Sequence, residues 1–289
     1  MLMSNTKKIE SIIIANPEEF KRKKEAIRRG GAEKLHVLAD FDRTLTYSMI
    51  NGERKPSLIA ILRREKYLTP DYPSKAHALK DKYRPLEFDL SVPLAERKVA
   101  MHEWWTKHFE LFRESRLNKR DIEKAITSES VQLRKGVKEF LKRLRDLRIP
   151  FVVMSAAGLG GEAVEMFFKK EGISLENIHL VANSFKWDAE GYMVGANEPI
   201  IHSLNKDETA IQQFPVYEEI KKRKNVLLLG DGTGDAGMSD GFDAENVLKI
   251  GFLNEKAEEN LKHYTKLYDV VLLNDPPFDY IVELLKEIV

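Results

Sequence analysis

The sequence predicts an α/β protein: a mostly parallel sheet with helices on both faces, interrupted by an inserted helical block. Three observations predict it. Six short apolar runs each end in turn residues, the pattern of buried strands. Helical patterns lie between most of them, and that alternation gives a mostly parallel sheet covered on both faces. One long block, Asn51–Ser130, breaks the alternation.

The elements follow in chain order. The first core strand is His36–Asp42. In Asn51–Ser130 no run reads as a convincing strand, and helical patterns dominate, above all Val92–Arg116 and Lys119–Thr127. Gly136–Arg148 predicts a helix before the strand Phe151–Ala156, and Gly161–Glu171 a helix before the strand Ile178–Ala182. Phe185–Gly195 reads as a small antiparallel excursion, because two short runs flank the turn signal Asp188–Gly191. A helix Val216–Lys224 leads into the strand Val226–Gly230. The strand Val247–Leu253, helix Glu255–Lys266, strand Asp269–Leu273 and helix Phe278–Val289 complete the pattern. The basic run Lys21–Lys24 with Arg28 and Arg29 predicts a solvated helix face rather than a nucleic-acid patch. The expected organisation is a core of residues 1–50 and 131–289 with residues 51–130 inserted into it.

At roughly 150 residues per domain, 289 residues give about two domains. The chain has 47 Lys+Arg and 46 Asp+Glu, a net charge of +1. That balance argues against a nucleic-acid binder, which carries a basic excess or stripe. It leaves a small anionic ligand open. The charge is also divided: the inserted block holds 17 basic and 13 acidic residues, the remainder 30 and 33. The absence of cysteine removes disulfides, thiolate zinc sites and cysteine nucleophiles, and it fits a reducing compartment. No apolar run approaches the ~20 residues of a membrane span, and Met1–Glu10 is polar. The expectation is a cytoplasmic monomer or weak oligomer with no nucleic-acid or membrane partner.

Four segments carry chemistry. The first is Asp40-Phe41-Asp42-Arg43-Thr44, directly after the first apolar run. Ligands of open parallel sheets bind beyond the carboxyl ends of strands, and residues two apart on an extended strand point the same way. Two acids aimed together need a cation or a proton between them. The pair suits Mg2+ chemistry, with one acid as nucleophile and the other as proton carrier. A polar loop with Asp42 capping a turn is the bland alternative. The second segment, Gly230-Asp231-Gly232-Thr233-Gly234-Asp235, again sets two acids after a strand, now in a glycine-rich turn. Hard cations take such oxygen ligands. Asp231, nearer the strand, is the expected ligand, and Asp235 is expected to orient a water or hold the loop. The third segment, Met154-Ser155-Ala156-Ala157-Gly158, puts a hydroxyl and small residues before a helix N-terminus, a setting that favours phosphate. Many strand-to-helix turns look like this, so it gains meaning only from its company. The fourth, Asn205-Lys206-Asp207, offers a cation for a transferring phosphate.

In this order the segments resemble the haloacid dehalogenase phosphohydrolase superfamily, whose pattern is D-x-D-x-T, a Ser/Thr at a strand end, a Lys and an acidic pair near G-D. DFDRTLT, PLEFDLSVPLAERKVAMHEWWTKH, VVMSAAGLGG, IHSLNKDETA and LLLGDGTGDAGMSDG look, more narrowly, like the cytosolic 5'-nucleotidase III, or pyrimidine 5'-nucleotidase, family. The resemblance runs from about Pro17 to the C-terminus. It implies a Rossmann-like core with residues 51–130 as a cap domain. It implies that Asp40 attacks phosphorus to form an aspartyl-phosphate. Asp42 would protonate the leaving nucleoside oxygen and then activate water. Mg2+ would be held by the Asp40 carboxylate, the Asp42 backbone carbonyl and Asp231, with Thr44 and Asp235 in support. Ser155, the Ala156 amide and Lys206 would hold phosphate oxygens. Glu87 would reach the nucleobase from the cap, and His108 stands at a base-neighbouring position where a family member carries Ser.

The implied substrate is a nucleoside 5'-monophosphate, and the base is open: Glu87 could accept from a cytosine amine or pair with cationic 7-methylguanine. Trp104 and Trp105 point about 100° apart on a helix, so one can stack on a base while the other packs inward, or both can be core. Two rivals stand beside this expectation. One is a phosphatase or phosphotransferase for another small phosphate ester on the same core, since fold does not fix substrate. The other is a nucleotide-binding protein without turnover.

Overall fold

The computed structural model describes residues 11–89, 91–127 and 131–289. The polar stretch 1–10 and the expected junction at 128–130 lie outside them. Asn16 opens the first helix: its side chain accepts from the Glu19 amide, Pro17 supplies a preset φ, and Glu18 and Glu19 face the positive helix end. This helix, α1 (Pro17–Lys34), buries Phe20 and Ile27 and kinks at Gly31. The short strand β1 (Ile12–Ile14) precedes it and β2 (Leu35–Ala39) follows. The basic run lies on α1 as expected of a solvated face. Arg22 and Arg28 pair with Glu19 and Glu25 one turn back, and Lys23 and Lys24 reach Asp269 and Glu287.

Between β2 and β5 (Phe151–Ser155) lies the helical block. It contains a two-residue hairpin, β3 (Met49–Ile50) with β4 (Glu53–Arg54), then α2 (Leu58–Glu65), α3 (Tyr72–Phe88), α4 (Leu94–Glu114) and α5 (Lys119–Thr127). The hairpin corrects the expectation that no strand lies here; two residues per strand leave no alternation to read. Helix α6 (Val137–Asp146) leads into β5, and α7 (Gly160–Lys170) into β6 (Ile178–Ala182). The antiparallel hairpin β7 (Phe185–Trp187) and β8 (Met193–Ala196) stands where the turn signal placed it. The expected helix Val216–Lys224 is a single turn. This turn, α9 (Tyr217–Ile220), lies between α8 (Glu208–Ile211) and β9 (Asn225–Gly230). The like charges of Lys221 to Lys224 oppose a longer helix, and Arg223 instead donates to the Ala32 and Leu35 carbonyls. β10 (Asn246–Leu253), α10 (Ala257–Leu267), β11 (Val270–Leu273) and α11 (Asp279–Ile288) finish the chain.

The seven main strands run in the order β1-β11-β10-β9-β2-β5-β6, parallel except for the edge strand β1. Every residue of β2, β5 and β9 is buried, as strands covered on both faces must be. Phe20, Phe140, Phe167 and Leu285 belong to one core cluster, while Leu38, Leu228, Ile211 and Ile220 belong to a second. From β2 the chain winds outward through β5 to β6, then returns to the other side of β2 for β9, β10 and β11. That reversal opens a crevice beyond the carboxyl ends of β2 and β9.

The helical block is joined to the sheet's side of the molecule by shared packing. Tyr72, Phe109 and Phe112 belong to the same apolar cluster as Phe41 and Phe167. The β7–β8 hairpin braces the α4–α5 junction: the Lys119 amide donates to Gly191 O at 3.0 Å and the Met193 amide to Leu117 O at 2.8 Å. Gly158, after β5, allows the closest approach. A Cβ there would stand 2.2 Å from Ile59 Cδ1 and 3.0 Å from Trp105, so α2 and α4 rest directly on that loop. No helix among the described residues is long and apolar enough to cross a membrane.

Candidate active site

The crevice is built from the ends of β2 and β9. Asp40 follows β2 immediately, and its amide donates to Leu229 O of β9 at 3.0 Å. The chain then turns through Arg43, whose φ is 63°, and Thr46 Oγ1 accepts from the Arg43 amide. Gly230 ends β9 where a Cβ would lie 2.4 Å from Asp235 Cβ. Only glycine lets the second acidic turn fold back this closely. One oxygen of Asp235 accepts from the Asp231 and Gly232 amides at 3.2 and 2.8 Å. Tyr264 and Tyr268 hydroxyls donate to the Asp231 and Gly232 carbonyls. Asp235 therefore holds the loop, one of its two expected roles.

Lys206 enters from a loop between β8 and β9. Its ammonium donates to Asp40 Oδ1 and, at 3.0 Å, to Asp235 Oδ1. Both acids and the lysine are buried. Burial opposes the lysine's charge, but the Asp235 and Asp40 carboxylates overcome it and raise its pKa above the ordinary lysine value. Burial pushes Asp40 up to about 7, with Asp235 and Asp42 adding and Lys206 opposing. Burial, Asp235 and Asp40 raise Asp231 well above the carboxylate range. Asp42 is also raised, by burial against the pull of Arg43 and Lys206. The common cause is burial, which penalises the charged carboxylate; mutual repulsion adds to it for Asp40 and Asp231. One carboxylate oxygen each from Asp40, Asp231 and Asp235 lie within 4.8 Å of one another. An all-oxygen, anionic donor set of this kind fits a hard divalent cation. Asp235 joins Asp40 and Asp231 in this cluster, although only the latter two were expected as carboxylate ligands.

Two adjoining cavities form one groove. The first, about 320 Å3, is lined by Asp40, Asp42, Lys206, Asp231 and Asp235. The second, about 210 Å3, is lined by Ala156, Trp104, Trp105, His108 and Met101. Asp42, Ser57, Arg84, Glu87 and Ser203 line both. Glu87 sits in the last turn of α3, and Arg97 donates to its backbone carbonyl at 3.1 Å. His108 is buried beside the Tyr72 hydroxyl, 3.2 Å from its Nε2. Burial, aided by the Arg63 charge, pushes its pKa down to about 3, so the ring is neutral near pH 7. The tryptophans do not diverge as the helix wheel suggested. Their indoles stack at 5.8 Å and 14°, and Tyr83 continues the column at 6.3 Å from Trp104. Both indoles are half-buried and line the groove.

Two expected residues do not line either cavity. Ser155 is 2% exposed and its Oγ accepts from the Ala157 amide at 3.1 Å, so it shapes the turn after β5 from within. Thr44 is wholly buried; its carbonyl accepts from Arg134 Nε at 2.9 Å. Arg134 itself was not foreseen. It also donates to the carbonyls of Arg43 and Pro276 and to Asn254 Oδ1, and pairs with Asp275 at 2.7 Å. Asp275 in turn accepts from the Ser48 and Met49 amides. One buried guanidinium thus ties the loop after Asp42 to the ends of β10 and β11. An isolated Arg after the inserted block gives no sequence signal for this; only the fold brings its partners together.

The comparisons with known proteins agree with this geometry. The family model for pyrimidine 5'-nucleotidase (UMPH-1) matches residues 43–289. The chain is 35% identical over 273 residues to 7-methylguanosine phosphate-specific 5'-nucleotidase B of Xenopus laevis, covering 94% of this chain and 93% of that one. To the Homo sapiens 7-methylguanosine phosphate-specific 5'-nucleotidase it is 33% identical over 279 residues, covering 96% and 92%. The crystal structure of cytosolic 5'-nucleotidase IIIB bound to cytidine superposes with a TM-score of 0.84 at 30% identity, covering 96% of this chain and 94% of that one. A substrate-bound phosphoserine phosphatase shares the fold alone, with a TM-score of 0.51 at 18% identity over 86% of this chain and 97% of that one. Motif order, inserted helices and match along nearly the whole length converge: the chain belongs to the pyrimidine 5'-nucleotidase family, on a haloacid dehalogenase-like α/β core.

Proposed function

We propose that the chain hydrolyses nucleoside 5'-monophosphates to nucleoside and phosphate through an aspartyl-phosphate. The observation that carries this is the continuous groove, which joins the Asp40–Lys206 centre to an aromatic wall with Glu87 at its edge. In this proposal Asp40 attacks phosphorus, and the nucleoside 5'-oxygen leaves with a proton from Asp42. The raised pKa of Asp42 favours that protonated form. Asp42, now a carboxylate, takes a proton from water as the water attacks phosphorus, and Asp40 is released. Lys206 neutralises phosphate oxygens, where charge stabilisation is the protein's main contribution. Ser155 keeps the turn that presents the Ala156 amide to them. Asp40, Asp231 and the Asp42 carbonyl, with Asp235 beside them, would hold Mg2+. When bound, the ion supplies Lewis-acid neutralisation between phosphate and nucleophile.

Residues 51–130 would serve as the cap over the core of 1–50 and 131–289, its contact at Gly158 excluding bulk water. At the base end, Trp104 and Trp105 offer a stacking wall. Neutral His108 leaves Glu87 as the acid for base selection. A carboxylate there accepts from the amine of cytosine and attracts cationic 7-methylguanine, so CMP and 7-methyl-GMP are the expected preferred substrates over UMP. The test is a phosphate-release panel of CMP, UMP, 7-methyl-GMP, AMP and sugar phosphates. No preference for any nucleotide over the sugar phosphates would refute the substrate class, and binding without turnover would leave a nucleotide-binding protein.

A further inference from the structure

A third cavity, about 400 Å3, opens beside the groove and is lined by Arg43, Arg54, Lys55, Arg63, Arg64, Lys80, Arg84 and His77, with Pro56, Ser57 and Ala60. No acidic side chain is in that lining. Three elements converge to make it. Arg63 and Arg64 lie in the last turn of α2; His77, Lys80 and Arg84 follow at spacings of three and four on one face of α3; Arg54 and Lys55 come from the end of the β3–β4 hairpin. Of the cations lining this cavity, only Arg54 and Lys55 are ion-paired among the described residues, with Glu255 at 2.8 Å and Glu53 at 3.2 Å. Arg63, Arg64, Lys80 and Arg84 have no acidic partner among them, while Arg43 faces Asp42 and Asp231 of the acidic centre; surface cations elsewhere on this chain are paired repeatedly.

Arg63 shows the consequence. Burial lowers its pKa against an opposing pull from Tyr72, and the neighbouring Arg84 and Arg64 charges lower it further. Like charges are being held together here. A solvated basic face would spread its cations; this lobe turns them towards a shared concavity, where their fields add. Guanidinium groups grip phosphate oxygens through paired, charge-assisted hydrogen bonds. The lobe is also separate from the Asp40 centre. It shares Arg43, Ser57 and Arg84 with the phosphate end of the groove and Arg63 and Lys80 with the base end, but contains none of Asp40, Lys206, Asp231 or Asp235.

We propose that this lobe is a second anion site, taking a ligand that carries at least two linked phosphoryl groups, outside the catalytic centre. Lys55 and Arg64 line this cavity and neither of the other two, so their removal spares the residues given roles in hydrolysis. The probe is inorganic pyrophosphate, titrated calorimetrically into the full chain in EDTA, which removes metal-assisted binding at the acidic centre. The expected result is one pyrophosphate per chain, at least tenfold weaker binding in the Lys55→Ala, Arg64→Ala double variant, and recovery to within threefold in Lys55→Arg, Arg64→Lys. Hydrolysis of CMP by both variants stays within twofold of wild type at saturating substrate. No uptake by wild type overturns the proposal, as does equal uptake by the alanine variant. Because binding is read without turnover, failure here is distinct from failure of the nucleotidase proposal. Tripolyphosphate and ATP in parallel separate the two sources of such an anion. Equal affinity assigns the site to a free polyphosphate, and tighter ATP binding to a nucleotide's phosphate tail.

Discussion

His36 offers a stability prediction independent of the catalytic groove. It is the second residue of β2, 1% exposed, with Phe242 at 5.9 Å, and neither ring nitrogen makes a hydrogen bond of ordinary geometry. Burial, with the Arg223 charge adding, pushes its pKa down to about 3 against a weaker pull from the Arg223 backbone. An unfolded chain would titrate it near ~6.5. Between those values the unfolded state binds a proton that the native state refuses, so stability is full above pH ~6.5 and falls as pH drops. The slope is about 1.4 kcal/mol per pH unit, which gives about 2 kcal/mol lost between pH ~7.5 and pH ~5. His36→Leu, close in volume, removes both the titration and an unpaired buried polar group worth about 1–3 kcal/mol. The variant is expected to be more stable than wild type at pH ~7.5, and its advantage is expected to grow by about 2 kcal/mol at pH ~5. Taking the difference cancels the opposite contribution of the acidic centre, where raised carboxylates gain stability on acidification. Urea unfolding at both pH values checks it. Parallel pH dependences for the two proteins would refute the buried neutral imidazole.

Asp40→Asn should abolish hydrolysis of CMP while the chain keeps its fold by circular dichroism; wild-type turnover would rule out the covalent route. EDTA should abolish phosphate release and added Mg2+ restore it, so full activity in chelator contradicts the cation's part. Glu87→Ala should change the ranking among CMP, UMP and 7-methyl-GMP by about tenfold, the scale of one charge-assisted hydrogen bond, while a generic phosphate ester loses much less. Uniform losses would remove Glu87 from base selection. Arg134→Met leaves the Asp275 carboxylate buried without its guanidinium and strands three carbonyls, at a cost of about 3–5 kcal/mol. Unfolding free energies within 1 kcal/mol of wild type would show that the loop after Asp42 is held some other way.

How far this protein can be read from its sequence follows from the distance between cause and partner. Strands β2, β5, β9 and β11 announce themselves because every residue in them is buried, and β6 and β10 because most of their residues are apolar. Asp40 and Asp231 are legible for a related reason: strand-end position is local, and the switch in winding at β2 brings two such ends together. β1 escapes notice because three residues gain their meaning only from β11, some 250 residues away in the chain. Arg134 escapes for the same reason, since its partners lie at Thr44, Asn254 and Asp275. The charge division was legible, but its form was not. A net of +4 over the inserted block is what a modest, salt-screened attraction for a nucleotide would need. The fold concentrates that charge: six of the eight basic or imidazole side chains around the third cavity lie on the β3–β4 hairpin, α2 and α3 between residues 54 and 80. The neighbouring acidic centre holds Lys206 buried against Asp40 and Asp235. Attraction to a neighbouring cluster of buried acids offsets part of the cations' mutual repulsion. That cluster favours cations at its rim just as it favours a divalent ion inside. An anionic substrate therefore meets both charge sets together, since Arg43 and Arg84 line the acidic end of the groove as well as the basic cavity.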